Sequence, residues 1–494
     1  MTACNGWYDL PAEIRNEIVS LLPIGGRCSQ LATVCRDWHS IIEPLNFSNI
    51  SLTLSCLADP ISQTMLLRHK KQIRYIWFKM ELEGFCCRHC RNPGNGPWST
   101  SDNKIFMNGF ENLFKTLSTW EPRDDHLVLD ISVYSPTDNQ HWFKYLDFRP
   151  DNELGDQETA ILDDPVHGWV AGQNNSDAGI LPTTALFGDI MCDKPFGSWW
   201  RSLPLVPVVG VVLLRQQTRR RWNQVTLANM LSRFPNMKEL CYEPWRHYLT
   251  TVSDQQDIGN QELIESFRST KLCKLTIFEN FTEEYPEAGI EFPAVRVLDP
   301  AVSRKLARSS LHLTTLSASF MVDASHFFAG CQDSWVWDNL TSLTLTSRAL
   351  TESTCPSDIN NMLHAAAAAA FRMPKLETME LWNGRRGVAM LFRYQRAQNW
   401  QPAIITLQGT SVLGTSVLAL DDPTVVQAWD NVAYQHSHSK VEVVVQALID
   451  SDKIRSHADA ICHLGLSTVL RPVSLQQILR EHRLRRTGHH RDWY

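Results

Sequence analysis

Three observations predict an α/β fold: a small helical module at the N-terminus, then a curved, mostly parallel sheet with helices outside. The first fifty residues carry two apolar stripes at helical spacing. A short strand pattern (apolar, two residues, apolar, one residue, apolar) recurs at irregular steps through much of the remainder. Toward the end, segments of helical and strand character alternate. The chain has 494 residues, 43% apolar, 20% charged and 10% aromatic. That is the composition of a folded protein, with length for several domains or one long array.

The N-terminal stripe lies in WYDLPAEIRNEIVSLLP. Pro11 suits a first helical position, where a missing N–H costs nothing. Ile14, Ile18, Leu21 and Leu22 fall at i, i+4, i+7 and i+8 and make one face. The pair Gly25-Gly26 is expected to end that helix. A second helix is predicted in CSQLATVCRDWHSIIEPL, with Leu31, Val34, Cys35, Trp38 and Ile42 on its apolar side and Pro44 ending it.

The repeat is clearest in Met237-Leu240-Tyr242, Leu272-Leu275-Ile277, Leu313-Leu316-Ala318, Leu340-Leu343-Leu345 and Leu376-Met379-Leu381. Val208-Val211-Leu213 fits upstream, and Ile73-Ile76-Phe78 fits further back. The L-x-x-L-x-L core is that of a leucine-rich repeat. Each unit starts with a short strand whose alternate side chains enter a shared core, so neighbours must stack into an irregular leucine-rich-repeat solenoid. SDINNMLHAAAAAAFRM reads as a helical return capped by Ser357. Farther on, AIITLQG and KVEVVVQAL read as strands. PTVVQAWDNVAY, DKIRSHADAICHL and VSLQQILREHRLRR read as helices. Between Cys86 and Trp200 only HLVLDISVY stands out as a strand, and the rest reads as long insertions. The organisation is therefore residues 1–50 helical, 51–200 early irregular units with insertions, and 201–494 the repeat body with a basic C-terminal helix.

A formal charge of −6 argues against a general nucleic-acid binder. The 13 cysteines, with no secretory pattern at the N-terminus, point to reduced thiols in the cytoplasm or nucleus. LPLVPVVGVVLL is too short for a membrane span and reads as a buried strand. No P-loop, G-x-G-x-x-G, H-E-x-x-H or G-x-S-x-G motif occurs, which lowers the expectation of an enzyme, and no cofactor is expected. Cys86, Cys87, His89 and Cys90 have zinc-type side chains but lack a second separated pair. Small thiols at a loop or strand end are the plainer reading. His436, His438, His489 and His490 read as surface histidines. Arg471, Arg480, Arg483, Arg485, Arg486 and Arg491 make a basic tail, read as a solvated helix end rather than a nucleic-acid patch.

Leu10-Pro11, Glu13-Ile14, the stripe Ile18 to Leu22 and Val34-Cys35-Arg36-Asp37-Trp38 together resemble an F-box. The linker PIGGRCSQ departs from that family by being short. From about Pro207 onward, NMKELCYEPWR, WDNLTSLTLTSRAL and SHADAICHLGLSTVLRPVSLQQI resemble the leucine-rich body of filamentous-fungal F-box-type proteins. The F-box resemblance implies a Skp-type adaptor as partner, and through it a cullin–RING ubiquitin ligase. Leu10, Pro11, Ile14, Ile18, Leu21, Leu22, Val34, Cys35 and Trp38 would form the adaptor face. A protein substrate would meet the outward strand residues, such as Lys274, Thr276, Thr344, Thr346 and Glu380, with Trp245 and Trp382 as candidate anchors. Two alternatives stand beside this: a leucine-rich scaffold whose N-terminal helices only cap the array, and an enzyme without a recognisable motif.

Overall fold

The computed structural model describes residues 7, 10–22, 29–84, 100–153, 155, 163–174, 186–190, 196–246, 250–281, 298–351, 354–398, 401–410 and 422–484. The fold is mixed α/β, built on one large, mostly parallel sheet with helices.

The chain enters through the helix Ala12–Leu21, a 3-10 turn Ser29–Thr33 and the helix Arg36–Ser48. Two details differ from the expectation. Pro11 is the N-cap, in an extended conformation, rather than the first helical residue. Pro44 does not end the second helix, which runs on to Ser48. A proline inside a helix removes one hydrogen bond and crowds the preceding turn. Here packing holds the turns on either side: Ile42 is fully buried, and the Phe47 ring stacks on His69 at 3.7 Å.

That helix hands directly to β1, Asn49–Thr53. β2 (Tyr75–Glu81) and β3 (Leu127–Tyr134) follow. Two small pairs come next in the chain: β4 (Trp169–Val170) with β5 (Gln173–Asn174), and β6 (Asp189–Ile190) with β8 (Arg221–Trp222). The main sheet continues with β7 (Val209–Leu214), β9 (Glu239–Tyr242), β10 (Lys274–Phe278), β11 (Thr315–Ser319), β12 (Ser342–Thr346) and β13 (Thr378–Arg385). It closes with β14 (Val388–Gln395), β15 (Ala403–Gly409) and β16 (Val441–Val445). These form a 12-stranded sheet in strict chain order. All pairings are parallel except β13–β14 and β14–β15. Gly387 sits in the β13–β14 turn at φ +71°, a conformation that strains any L side chain.

The repeat pattern fixes the register. Leu240, Leu275, Leu316, Leu343 and Met379 lie side by side across β9 to β13. Tyr242, Ile277, Ala318, Leu345 and Leu381 form the next row. All of these side chains enter one continuous core with the helices between strands, among them Gln224–Leu231, Pro300–Ser309, Pro356–Ala370 and Pro423–Ser437. In Pro356–Ala370 the alanines 366, 367, 369 and 370 are buried, so small side chains bring helix and sheet close. Its cap is Cys355, with Pro356 as the first helical residue, rather than Ser357.

One unit is displaced from its predicted register. Val212, not Val211, lies opposite Leu240, so the core-facing residues are Val208, Val209, Val212 and Leu214. Leu213 points to the other face, against Tyr75, Trp77 and Cys241. VVGVVLL is apolar on both faces and gives no alternation to read.

The stretch between Cys86 and Trp200 holds a core helix beside the predicted strand. The helix Thr100–Leu117 crosses it and puts Phe106, Phe110, Leu113, Phe114 and Leu117 into the main core. Those residues repeat at i, i+4, i+7, i+8 and i+11, a helical stripe.

The sheet's second face is also covered. Phe278, Trp382, Ala389 and Leu391 pack against Ile454, Ala458, Ile461, Leu464 and Ile478, which come from the C-terminal helices His457–His463 and Pro472–Leu484 and their approach. Next to that layer, Phe143, Tyr145, Leu146, Trp169, Phe187, Trp245 and Leu484 form a further cluster. No described helix is long and apolar enough to cross a membrane.

Candidate functional site

The N-terminal helix turns most of its apolar side chains away from the protein. Val19 alone is buried on it. Leu10, Ile14, Ile18, Leu21 and Leu22 are exposed, Leu21 by 62%, and Val34 beyond the turn is exposed by 59%. Pro11 is exposed as well, while Cys35 and Trp38 are half-buried. The Trp38 ring meets Trp7 at 5.8 Å. Arg15 bonds to Asp37 across the two helices at 3.3 Å. Exposed apolar side chains in this number have the make-up of a protein-docking surface. All of the predicted adaptor residues are thus at least partly accessible. The linker 23–28, with Gly25 and Gly26, lies outside the described residues, as do Cys86, Cys87, His89 and Cys90.

The predicted substrate face is different from the expectation. Trp245 and Trp382 are core residues, exposed by 2% and 0%. The Trp245 indole donates to the Gln216 carbonyl at 2.7 Å, and the Arg219 guanidinium lies over its ring at 3.8 Å. Glu380 accepts from Arg393 Nε at 2.7 Å and from Thr344 Oγ1 at 3.0 Å. Thr344 and Thr346 are buried too. Of the outward residues named from sequence, Lys274 is exposed and Thr276 half-exposed. The physical reason is the C-terminal layer: helices from the chain's own end occupy the sheet surface that an open array would present.

Polar contacts add to the apolar packing around that layer. RQQTRRR, Arg215 to Arg221, is buried throughout. Arg215 Nε donates to Asp130 at 2.9 Å, and the Tyr75 hydroxyl donates to the same carboxyl. Burial pushes the Asp130 carboxyl upward, with Arg215 opposing it. Glu243 accepts from Ser474 Oγ at 2.5 Å and from the backbone N–H groups of Gln216 and Arg471, each at 3.0 Å. Arg219 donates to Glu481 at 2.6 Å and Arg471 Nε to Asp151 at 2.8 Å. Arg480 Nη1 lies 3.6 Å from Asp147. The basic tail is therefore engaged with the body at Arg471 and Arg480; Arg485, Arg486 and Arg491 lie outside the described residues, as do His489 and His490. His436 is buried, not at the surface, and burial lowers its pKa.

Sequence reasoning missed a cleft of about 800 Å³ at the carboxyl ends of β10 to β13. In parallel sheets, loops leaving that edge are where ligands bind. Phe281, Leu298, Phe320, Val322 and Met362 supply apolar wall, and Arg246, Arg348, Arg385, His326, Glu279, Asp323 and Asp358 the charged groups. Glu279 is buried, and desolvation raises its pKa to about 8 against the pull of Arg246. Phe320 holds a left-handed backbone at φ 64°. Its N–H donates to Thr346 Oγ1 at 2.8 Å, and that hydroxyl donates to Val322 O at 3.1 Å. No spacing in the sequence joins these loops. The faint signal was an arginine at or shortly after each of three strand ends, Arg246, Arg348 and Arg385.

Residues 267–471 match a family of unknown function, DUF6546. The match takes in β10 to β16 and the cleft walls from Glu279 to Arg385, less than half of the chain. It stops short of the helix Pro472–Leu484 and excludes the N-terminal helices. No curated protein matches the chain. Among the described residues, no group of three His, Cys, Asp or Glu side chains is arranged to hold a metal ion.

Proposed function

We propose that this chain is the substrate-recognition subunit of a Skp–cullin–F-box ubiquitin ligase. Residues 1 to about 50 dock the Skp-type adaptor as an F-box, and the remainder, an irregular leucine-rich solenoid closed on its second face, carries the substrate. The observation that carries this reading is the exposed stripe Leu10, Ile14, Ile18, Leu21, Leu22 and Val34. Full burial of one such side chain is worth about 1.5–3 kcal/mol. With roughly half of each still exposed, six contribute about 5–9 kcal/mol, enough to meet the lower part of the cost of association. The chain makes no bond itself. It raises the effective concentration of a substrate lysine near a charged conjugating enzyme.

A specific observation favours a second role for the other helix. Arg36–Ser48 runs into β1, buries Ile42 and stacks Phe47 on His69. It caps the first strand, so docking rests on Ala12–Leu21, residues 29–35 and Trp38 while the rest of Arg36–Ser48 serves the body.

Co-purification of the full chain with a purified Skp-type adaptor tests the reading. Wild type is expected to be retained, and Ile14→Asp/Leu22→Asp to be lost while its melting temperature is unchanged. Failure of wild type to bind, or equal capture of the variant, removes the proposal. Deleting residues 1–35 is expected to abolish capture and leave the body folded.

A further inference from the structure

We propose that the cleft at the carboxyl ends of β10 to β13 is a binding site for a small organic anion, a carboxylate or phosphate ester with an aromatic or apolar body. The site is separate from the N-terminal stripe, and the inference stands independently of the adaptor reading.

Size is the first argument. A cleft of about 800 Å³ lies within the roughly 300–1,000 Å³ span of small-molecule sites. It also lies where the loops of parallel strands converge.

Charge is the second. Three guanidiniums line the cleft: Arg246, Arg348 and Arg385. Among the described residues, neither Arg348 nor Arg385 is ion-paired. Two carboxylates in the lining, Asp323 and Asp358, offset only part of that charge. Asp323 accepts from the backbone N–H groups of Ser325 at 2.8 Å and Arg348 at 2.7 Å, so it is committed to holding the loops. Asp358 is exposed in the first turn of its helix. Glu279 is buried and its pKa is raised to about 8, so it adds little negative charge at neutral pH. Guanidiniums match carboxylate and phosphate oxygens in bidentate pairs.

The third argument is the floor. Phe320 and Phe281 meet at 4.9 Å, edge to face, and Trp382 and His457 pack behind Phe320 at 5.2 and 5.7 Å. Phe320 keeps an unfavourable left-handed backbone, held there by the Thr346 hydroxyl. A bulky residue in that conformation persists only where its surroundings fix it, and such strain concentrates at ligand sites. The charges select the anionic end and the rings take the body.

Calorimetric titration of the full chain with phenyl phosphate, phenylacetate, inorganic phosphate and benzylamine tests this. The two aromatic anions differ in head group and so report whether phosphate or carboxylate is preferred. At least one is expected to bind more tightly than inorganic phosphate, and benzylamine not to bind. Arg348→Gln/Arg385→Gln, at exposed and half-exposed positions, should weaken the preferred anion by about tenfold or more with the melting temperature unchanged. Phe320→Leu should weaken both aromatic anions and leave inorganic phosphate as it was. Absence of binding by both aromatic anions at millimolar concentration overturns the proposal. So does binding of benzylamine as strong as theirs, or full affinity in the double arginine variant.

Discussion

Two helices of this protein have similar sequence periodicity and opposite fates. Ala12–Leu21 buries Val19 and leaves Ile14, Ile18 and Leu21 in solvent. Pro356–Ala370 buries Ile359, Met362, Leu363 and four of its alanines between sheet and neighbouring helices. An apolar stripe tells that a helix has a partner, and only its neighbours decide whether the partner lies in the same chain. The body helix has an aligned row of strand side chains waiting for it. The N-terminal helix sits before the first strand, beyond the last row.

Arg219 is buried against Glu481 and Trp245, so Arg219→Ala leaves a carboxylate in the interior. It should lower stability by about 3–5 kcal/mol in urea unfolding, and a loss near zero would mean that the C-terminal layer is loosely held. Leu363→Ala removes a core side chain and should cost about 2–5 kcal/mol. A smaller loss than that would erase the distinction between the two helices.

Glu279→Gln should act with pH. The folded protein holds a proton on Glu279 up to about pH 8, whereas the ordinary value is 4.5. Between those values the unfolded chain has released it, so this carboxyl's contribution to stability falls as pH rises. The variant's melting temperature should therefore gain on wild type from about pH 5 to about pH 8.5. A constant difference across that range would mean that Glu279 is not held protonated. Smallest of all, Leu21→Ser on the exposed stripe should change stability by less than about 0.5 kcal/mol; a loss comparable to that of Leu363→Ala would make the stripe a part of the core.

Much of the sheet was legible because the repeat pattern reports one buried face. Leu240, Leu275, Leu316, Leu343 and Met379 lie in the row their spacing implies. Legibility stopped where a strand is apolar on both sides, as at Val208 to Leu213. It stopped also where helical signal is diluted by polar neighbours, as at Phe106 to Leu117. The second layer was hidden for another reason. Nothing local in Arg215 to Arg221 marks the run as interior, yet Arg219 pairs with a glutamate 262 positions away. A buried ion pair between distant segments has no local pattern. The cleft was hidden likewise, since its walls come from loops that only the sheet's order assembles. The N-terminal stripe was the reverse case: its residues were named from sequence, and the fold leaves them at the surface.

Hydrogen–deuterium exchange of the full chain, with and without a purified Skp-type adaptor, tests the docking claim most directly. New protection is expected across residues 10–22 and 29–38, with the sheet from β7 to β16 unchanged. Exchange that stays the same in residues 10–22 when adaptor is present in excess, or helix 12–21 as protected without adaptor as the body helices, would contradict it.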